Sequence, residues 1–199
     1  TKAPAPETDA EMVVMAIEAI KKTGLKDFKV DIGDVGFLRG ILDGLKIPDK
    51  DKGLIKQSIA KKDSSALERQ LDGLENSLSK REKSLLMNLT TLYGEVDIIE
   101  KAKETANDKK TSASLEYLGG VTKILENRGF TGYITIDLGE VRGFDYYTGI
   151  IFEGFARGIG SPILSGGRYD TLLEKYGYPS AATGFAFDIE SIVAALEKN

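Results

Sequence analysis

Three short clusters in the last third of the chain hold residue types that can grip a small polar molecule: Glu140 to Gly149 (EVRGFDYYTG), Ser165 to Asp170 (SGGRYD) and Gly184 to Ser191 (GFAFDIES). Each joins glycines, which let a backbone approach a ligand closely, to Arg, Asp or Tyr side chains that hydrogen-bond it. An arginine such as Arg142 can hold a carboxylate through two parallel bonds, and tyrosines such as Tyr146, Tyr147 and Tyr169 offer a flat apolar face plus a hydroxyl. Together they describe a pocket for something zwitterionic and partly aromatic. Each cluster alone also has a structural reading: Gly166 and Gly167 in a bulged hairpin, Tyr146 and Tyr147 bracing a sheet, Arg142 paired with Asp145 or Glu140. Three in order on one predicted sheet favour a site. Gly158-Ile159-Gly160 is no phosphate loop, because neither a Lys-Ser/Thr pair nor a preceding parallel strand accompanies it.

These clusters need a sheet to present them. Tyr133, Thr135 and Asp137 alternate with Ile134, Ile136 and Leu138, and a second alternating run, Thr148 to Ala156, lies within reach of a hairpin. Gly158 to Pro162 is turn chemistry leading to Ile163 and Leu164, Ala181 to Phe187 predict a further strand, and Ile189 to Leu196 a closing helix. Near the start, Pro4 and Pro6 predict an extended lead. Thr8 with Glu11 fits a capping box opening a helix that carries Val13, Ile17 and Ile20 and ends at Gly24, after which Phe28 to Gly33 alternate as a half-buried strand.

From Asp34 to about Arg128 the period is helical. Leu38, Ile41, Leu42 and Leu45 form one short helix stopped before Pro48. Ser65 with Glu68, and Ser79 with Glu82, repeat the capping-box spacing, which assigns Leu67, Leu71, Leu74 and Leu78 to one helix and Leu85, Leu86, Leu89 and Leu92 to the next. These leucines read as core rather than zipper, since the heptad breaks at Arg81. The charged runs at Asp49 to Lys52 and Lys80 to Lys83 read as solvated helix faces. Strands packed on helices without regular alternation predict an α+β class: an antiparallel sheet flanked by helices, with a helical insertion. The expected division is 1–33 for the first helix and strand, 34–128 for the insertion, and 129–199 for the antiparallel sheet and closing helix.

Composition narrows the chemistry. The 199 residues contain no cysteine and no histidine, which excludes thiolate catalysis, disulfides, zinc ribbons and imidazole acid–base relays. Carboxylates, arginines, tyrosines and backbone remain. A formal net charge of -4, with both signs interspersed, argues against a nucleic-acid groove. Neither an apolar run of membrane-spanning length nor a signal-like N-terminus is present, so a cytoplasmic location without membrane contact is expected.

The wording of the clusters carries a resemblance. VRGFDYYTGIIFE resembles the histidine-binding signature of the histidyl-tRNA synthetase family, SGGRYD the glycine-rich strand that comes after it there, and TGFAFDIES the third class II synthetase motif. ETDAEM and the run ending DIGDVGFLRGIL extend the similarity upstream. The resemblance implies a class II synthetase fold in which Arg142 contacts the carboxylate of histidine, Tyr146, Tyr147 and Tyr169 line the imidazole pocket, and Gly166 and Gly167 form its close-approach wall. It also implies an arginine for the ATP phosphates where this chain has Ser191, and a glycine where it has Asp188. A serine cannot supply that charge, and an aspartate adds repulsion toward a triphosphate.

On those departures the chain resembles most the regulatory-subunit family of ATP phosphoribosyltransferase. This resemblance implies a non-catalytic, cofactor-free and metal-free C-terminal fragment of a protein that binds the short-form catalytic subunit and histidine, as a homodimer within a hetero-oligomer. The alternative implied by the same motifs is a fragment of a histidyl-tRNA synthetase, a tRNA ligase. A further alternative treats the sheet as scaffold and gives residues 34 to 128 a protein or RNA partner.

Overall fold

The alternating run that opens at Phe28 becomes the central strand of the molecule. The structure, a computed structural model, describes residues 4–106, 108–139 and 146–198. Among them are six strands in one sheet: β1 (Phe28–Asp34), β2 (Tyr93–Gly94), β3 (Ile134–Asp137), β4 (Ile150–Ala156), β5 (Leu164–Arg168) and β6 (Thr183–Phe187), in the order β2-β3-β1-β4-β5-β6. All neighbours are antiparallel except β1 and β3, which run parallel with Val30 beside Ile134 and Ile32 beside Ile136. The class is α+β, as expected.

The expected hairpin between the runs at residues 133 and 148 does not form. β1 lies between them, pairing with β3 on one edge and β4 on the other. Alternation marks a strand but carries no information about its neighbour, and the connection from Asp137 to Ile150 is too long for a tight hairpin turn.

Eight α-helices accompany the sheet among the described residues: α1 (Pro6–Lys22), α2 (Val35–Gly44), α3 (Asp49–Ala60), α4 (Ser64–Asp72), α5 (Lys80–Leu89), α6 (Ile98–Lys103), α7 (Lys109–Asn127) and α8 (Ile189–Lys198). Two caps differ from the sequence expectation. α1 starts at Pro6, whose fixed φ suits the first helical turn, with Ala5 as N-cap and Thr8 already inside the helix. In α4 Asp63 takes the cap, its Oδ1 accepting from the Ala66 N–H at 2.8 Å, so Ser65 is also interior. The helix stops at Asp72, leaving Leu74 and Leu78 in the turns beyond it, just as Leu92 lies past the end of α5. Ser79 and Glu82 do form the predicted capping box.

One face of the sheet is apolar. Val30, Ile32, Ile136, Ile150, Phe152 and Leu164 join Val13, Ile17 and Ile20 of α1 and Leu115, Leu118 and Leu125 of α7 in a single buried cluster, which continues through Ile55, Ile59, Leu67 and Leu86 of the shorter helices. Cross-strand register then fixes the opposite face: Asp31 beside Thr135 and Glu153, Glu153 beside Ser165, and Ile151 beside Gly167. That second face is where polar chemistry collects. No described helix is long and apolar enough to cross a membrane.

Candidate functional site

The tyrosines of the first two clusters meet on this polar face. Tyr147, buried, and Tyr146, half-buried, have ring centroids 4.7 Å apart, and Tyr169 lies 5.7 Å from Tyr146 in an edge-on arrangement. Val35 and Ile151 complete a small apolar patch behind them. The Tyr147 hydroxyl is pushed well above its ordinary pKa, first by burial and then by its bond to Tyr146, so it remains a neutral donor.

Glycines make this packing possible. A Cβ on Gly167 would stand 2.6 Å from the Ile150 carbonyl oxygen and 2.9 Å from the Tyr147 ring, and one on Gly184 would stand 3.1 Å from the Tyr169 hydroxyl. Gly166 faces the other way, where a Cβ would lie 2.5 Å from Phe185 Cβ and 2.7 Å from the Phe152 ring. Both glycines of β5 sit in regular strand register rather than in a bulge. Only Gly167 belongs to the tyrosine wall; Gly166 serves the core.

Beside the tyrosines lies an acidic strip. Asp31, Asp137 and Glu153 come from three adjacent strands, and Ser165 donates to Glu153 Oε1 at 3.2 Å. Burial, then the charge of Asp137, raises Asp31 to about 6, against a lowering contribution from Thr135 and Lys62. Lys62 Nζ reaches in from the turn after α3 to Asp137 Oδ1 at 2.5 Å. A tyrosine wall with an acidic floor suits a flat, cationic or hydrogen-bond-donating nitrogen group. Among the described residues no group of carboxylates is arranged to hold a metal ion.

A buried ion pair anchors the strip from behind. Arg168 donates to Asp9 of α1 through Nε (2.9 Å to Oδ2) and Nη2 (2.8 Å to Oδ1), while its Nη1 donates to Asp170 Oδ1 at 3.0 Å. Tyr117 of α7 adds a donor to Asp9 at 2.8 Å. Burial would lower the Arg168 pKa, yet the carboxylates outweigh it and hold the guanidinium charged. Asp170 also accepts from the Ala182 N–H at 3.0 Å, and Thr148 Oγ1 accepts from the Asp170 N–H at 3.0 Å, so this network sets the height of Tyr169.

Two sequence-predicted positions remain. Arg142, with Glu140 and Asp145, lies outside the described residues. Ser191 is in the first turn of α8, its hydroxyl 3.1 Å from that of Ser161. Asp188 caps that helix by accepting from the Ser191 N–H at 2.9 Å. Sequence reasoning missed Asp31, Asp137, Lys62 and Asp9. Alternation could have aligned Asp31 and Asp137 on one face, but nothing local distinguishes Lys62 among the polar residues of its turn.

Helices on one face of a mostly antiparallel sheet, with a tyrosine-walled polar strip on the other, define a class II aminoacyl-tRNA synthetase-like domain. Residues 3–192 match the family model described as histidyl-tRNA synthetase, and the chain belongs to that family. Within it, the chain is 44% identical over 195 residues to the ATP phosphoribosyltransferase regulatory subunit of Geobacter sulfurreducens, covering 97% of this chain and 44% of that protein. It is 45% identical over 193 residues to the regulatory subunit of Caldanaerobacter subterraneus subsp. tengcongensis, covering 96% and 50%. A crystal structure described as an ATP phosphoribosyltransferase regulatory subunit/histidyl-tRNA synthetase from Bacillus halodurans superposes with a TM-score of 0.90 at 34% identity, over 97% of this chain and 50% of that one. The chain thus spans about half the length of the curated relatives it matches.

Proposed function

We propose that the protein to which this chain belongs is the regulatory subunit of ATP phosphoribosyltransferase, a non-catalytic, cytoplasmic partner of the short-form catalytic subunit that binds histidine as feedback effector. The observation that carries this reading is the wall of Tyr146, Tyr147 and Tyr169 closed against Gly167 beside the Asp31–Glu153 strip, which matches an imidazole ring and its N–H groups. Arg142 is the residue proposed to hold the effector's carboxylate. Likeness to relatives of that name over nearly the whole chain supports the same reading.

Ser191 supplies a hydroxyl where nucleotide activation needs a guanidinium, and Asp188 uses its carboxylate to cap α8. The assembly is a homodimer within a hetero-oligomer, in which residues 34–128 form an insertion in the synthetase-like domain. Feedback requires that histidine prefer one arrangement of the subunits, since equal affinity for both shifts nothing.

Calorimetric titration of the full-length protein with histidine tests the site. Arg142→Ala is expected to weaken binding by about tenfold or more, the loss of a charge-assisted bidentate contact, and to blunt inhibition of the assembled transferase. Unchanged inhibition in a variant that still assembles removes Arg142 from the scheme. The family description also admits a histidyl-tRNA synthetase. Histidine-dependent exchange of pyrophosphate into ATP by the intact protein would establish that reading instead.

A further inference from the structure

Lys62 is the one non-glycine with a positive φ among the described residues, at +55°. It sits just past the last turn of α3, a left-handed position where glycine or asparagine is usual. A long β-carbon-bearing residue there is strained, and its side chain shows where it is directed. Nζ reaches Asp137 Oδ1 at the end of β3 and lies 5.4 Å from the centre of the Tyr93 ring on β2. The Asp137 side chain is 4% exposed, and that of Lys62 is 30% exposed.

The same carboxylate oxygen accepts from the Gly139 N–H at 3.0 Å, so Lys62 and the Gly139 backbone share one acceptor. Gly139 is confined from the helical side as well: a Cβ there would stand 3.1 Å from Ile59 of α3, 3.1 Å from the Leu89 carbonyl of α5 and 3.4 Å from Lys62 Nζ. Leu138 donates to the Leu92 carbonyl oxygen at 3.0 Å. These contacts tie the backbone just past β3 to Asp137, to α3 and the turn after it, and to the segment from α5 to β2. Asp137 in turn lies on the polar face with Asp31 and Glu153.

From this arrangement we infer that Lys62 is a positioning residue: it fixes the Asp137–Gly139 stem from the helical region, and through that stem sets the ligand-binding face of the sheet. The effect on histidine rests on the function proposed above; the effect on the stem does not. A plain helix-capping role predicts the opposite behaviour on substitution, because glycine suits φ +55° better than lysine.

The test uses the full-length protein with Lys62→Gly and Lys62→Arg. Hydrogen exchange without ligand reads the stem. Lys62→Gly is expected to speed exchange at Leu138 and Gly139 by about tenfold or more while leaving β4 protected, and Lys62→Arg to retain protection. Histidine titration reads the face: affinity falls about tenfold in Lys62→Gly, the scale of a lost charged hydrogen bond, and recovers to within about threefold in Lys62→Arg. Protection and affinity both unchanged in Lys62→Gly, with equal or higher thermal stability, would overturn the inference. If the unaltered protein takes up no histidine, the proposed function fails, while the exchange measurement still decides whether Lys62 holds the stem.

Discussion

At Asp31 the fold holds a carboxylate where burial and the neighbouring Asp137 and Glu153 disfavour its charge, with Thr135 and Lys62 as the compensating groups. Its native pKa of about 6 exceeds the ordinary 3.8, so the native state binds more protons than the unfolded chain between those values. Stability contributed here is present at low pH and lost as pH rises through about 6. Asp31→Asn should therefore raise the melting temperature at about pH 7.5 and change it little at about pH 4, because only the charged form is penalised. Differential scanning calorimetry at the two pH values checks this; a lower midpoint at both would mean that Asp31 is needed as a hydrogen-bond partner, not tolerated as a charge. Gly166 poses the reverse case, a residue whose absence of side chain is the function. Gly166→Ala sets a methyl against Phe185, Phe152 and the Gly184 carbonyl, and should destabilise by about 2–3 kcal/mol in urea denaturation, as overpacking of a tight core does. The glycine pair was legible as a place of close approach. Which glycine faced the site and which the core was not, because that depends on register with β4.

Elements were legible where their signals are local. Ser79 and Glu82 bond reciprocally, Ser79 N–H to Glu82 Oε2 at 2.7 Å and Glu82 N–H to Ser79 Oγ at 3.2 Å, as their spacing predicts. Ser79→Ala should cost about 1 kcal/mol, the ordinary value of a lost N-cap, seen as a lower urea midpoint with unchanged slope. The same spacing at Thr8–Glu11 and Ser65–Glu68 placed two N-caps three and two residues too late. Both pairs are preceded by a better start: Pro6, whose fixed φ suits the first turn of α1, and Asp63, whose carboxylate accepts from the Ala66 N–H of α4. The position of β1 was beyond any local signal. Its pairing with β3 joins residues about a hundred positions apart, and alternation reads identically in a hairpin and in a strand flanked by distant partners. For the site this matters directly, since the acidic strip exists only because β3, β1 and β4 lie side by side.

At the scale of the whole molecule, the Asp9–Arg168 pair joins the first helix to β5, and Tyr117 and Asp170 extend it to α7 and the approach to β6. In the sequence Asp9 reads as an ordinary acid in the first turn of a helix; its burial, at 1% exposure, arises only when residues 159 positions apart come together. Breaking one side of such a pair leaves a buried charge without compensation, which costs more than the net contribution of the intact pair. Asp9→Ala should therefore destabilise by about 3–5 kcal/mol. Asp9→Leu combined with Arg168→Met, which removes both charges and keeps most of the volume, should recover much of that loss. Equilibrium urea unfolding monitored by both circular dichroism and tyrosine fluorescence distinguishes the cases. If the network ties the helices and the sheet into one cooperative unit, both probes report a single midpoint in the original chain and separate midpoints in Asp9→Ala. Coincident midpoints with a loss in Asp9→Ala no larger than that of an exposed ion pair would mean that the apolar cluster alone integrates the fold.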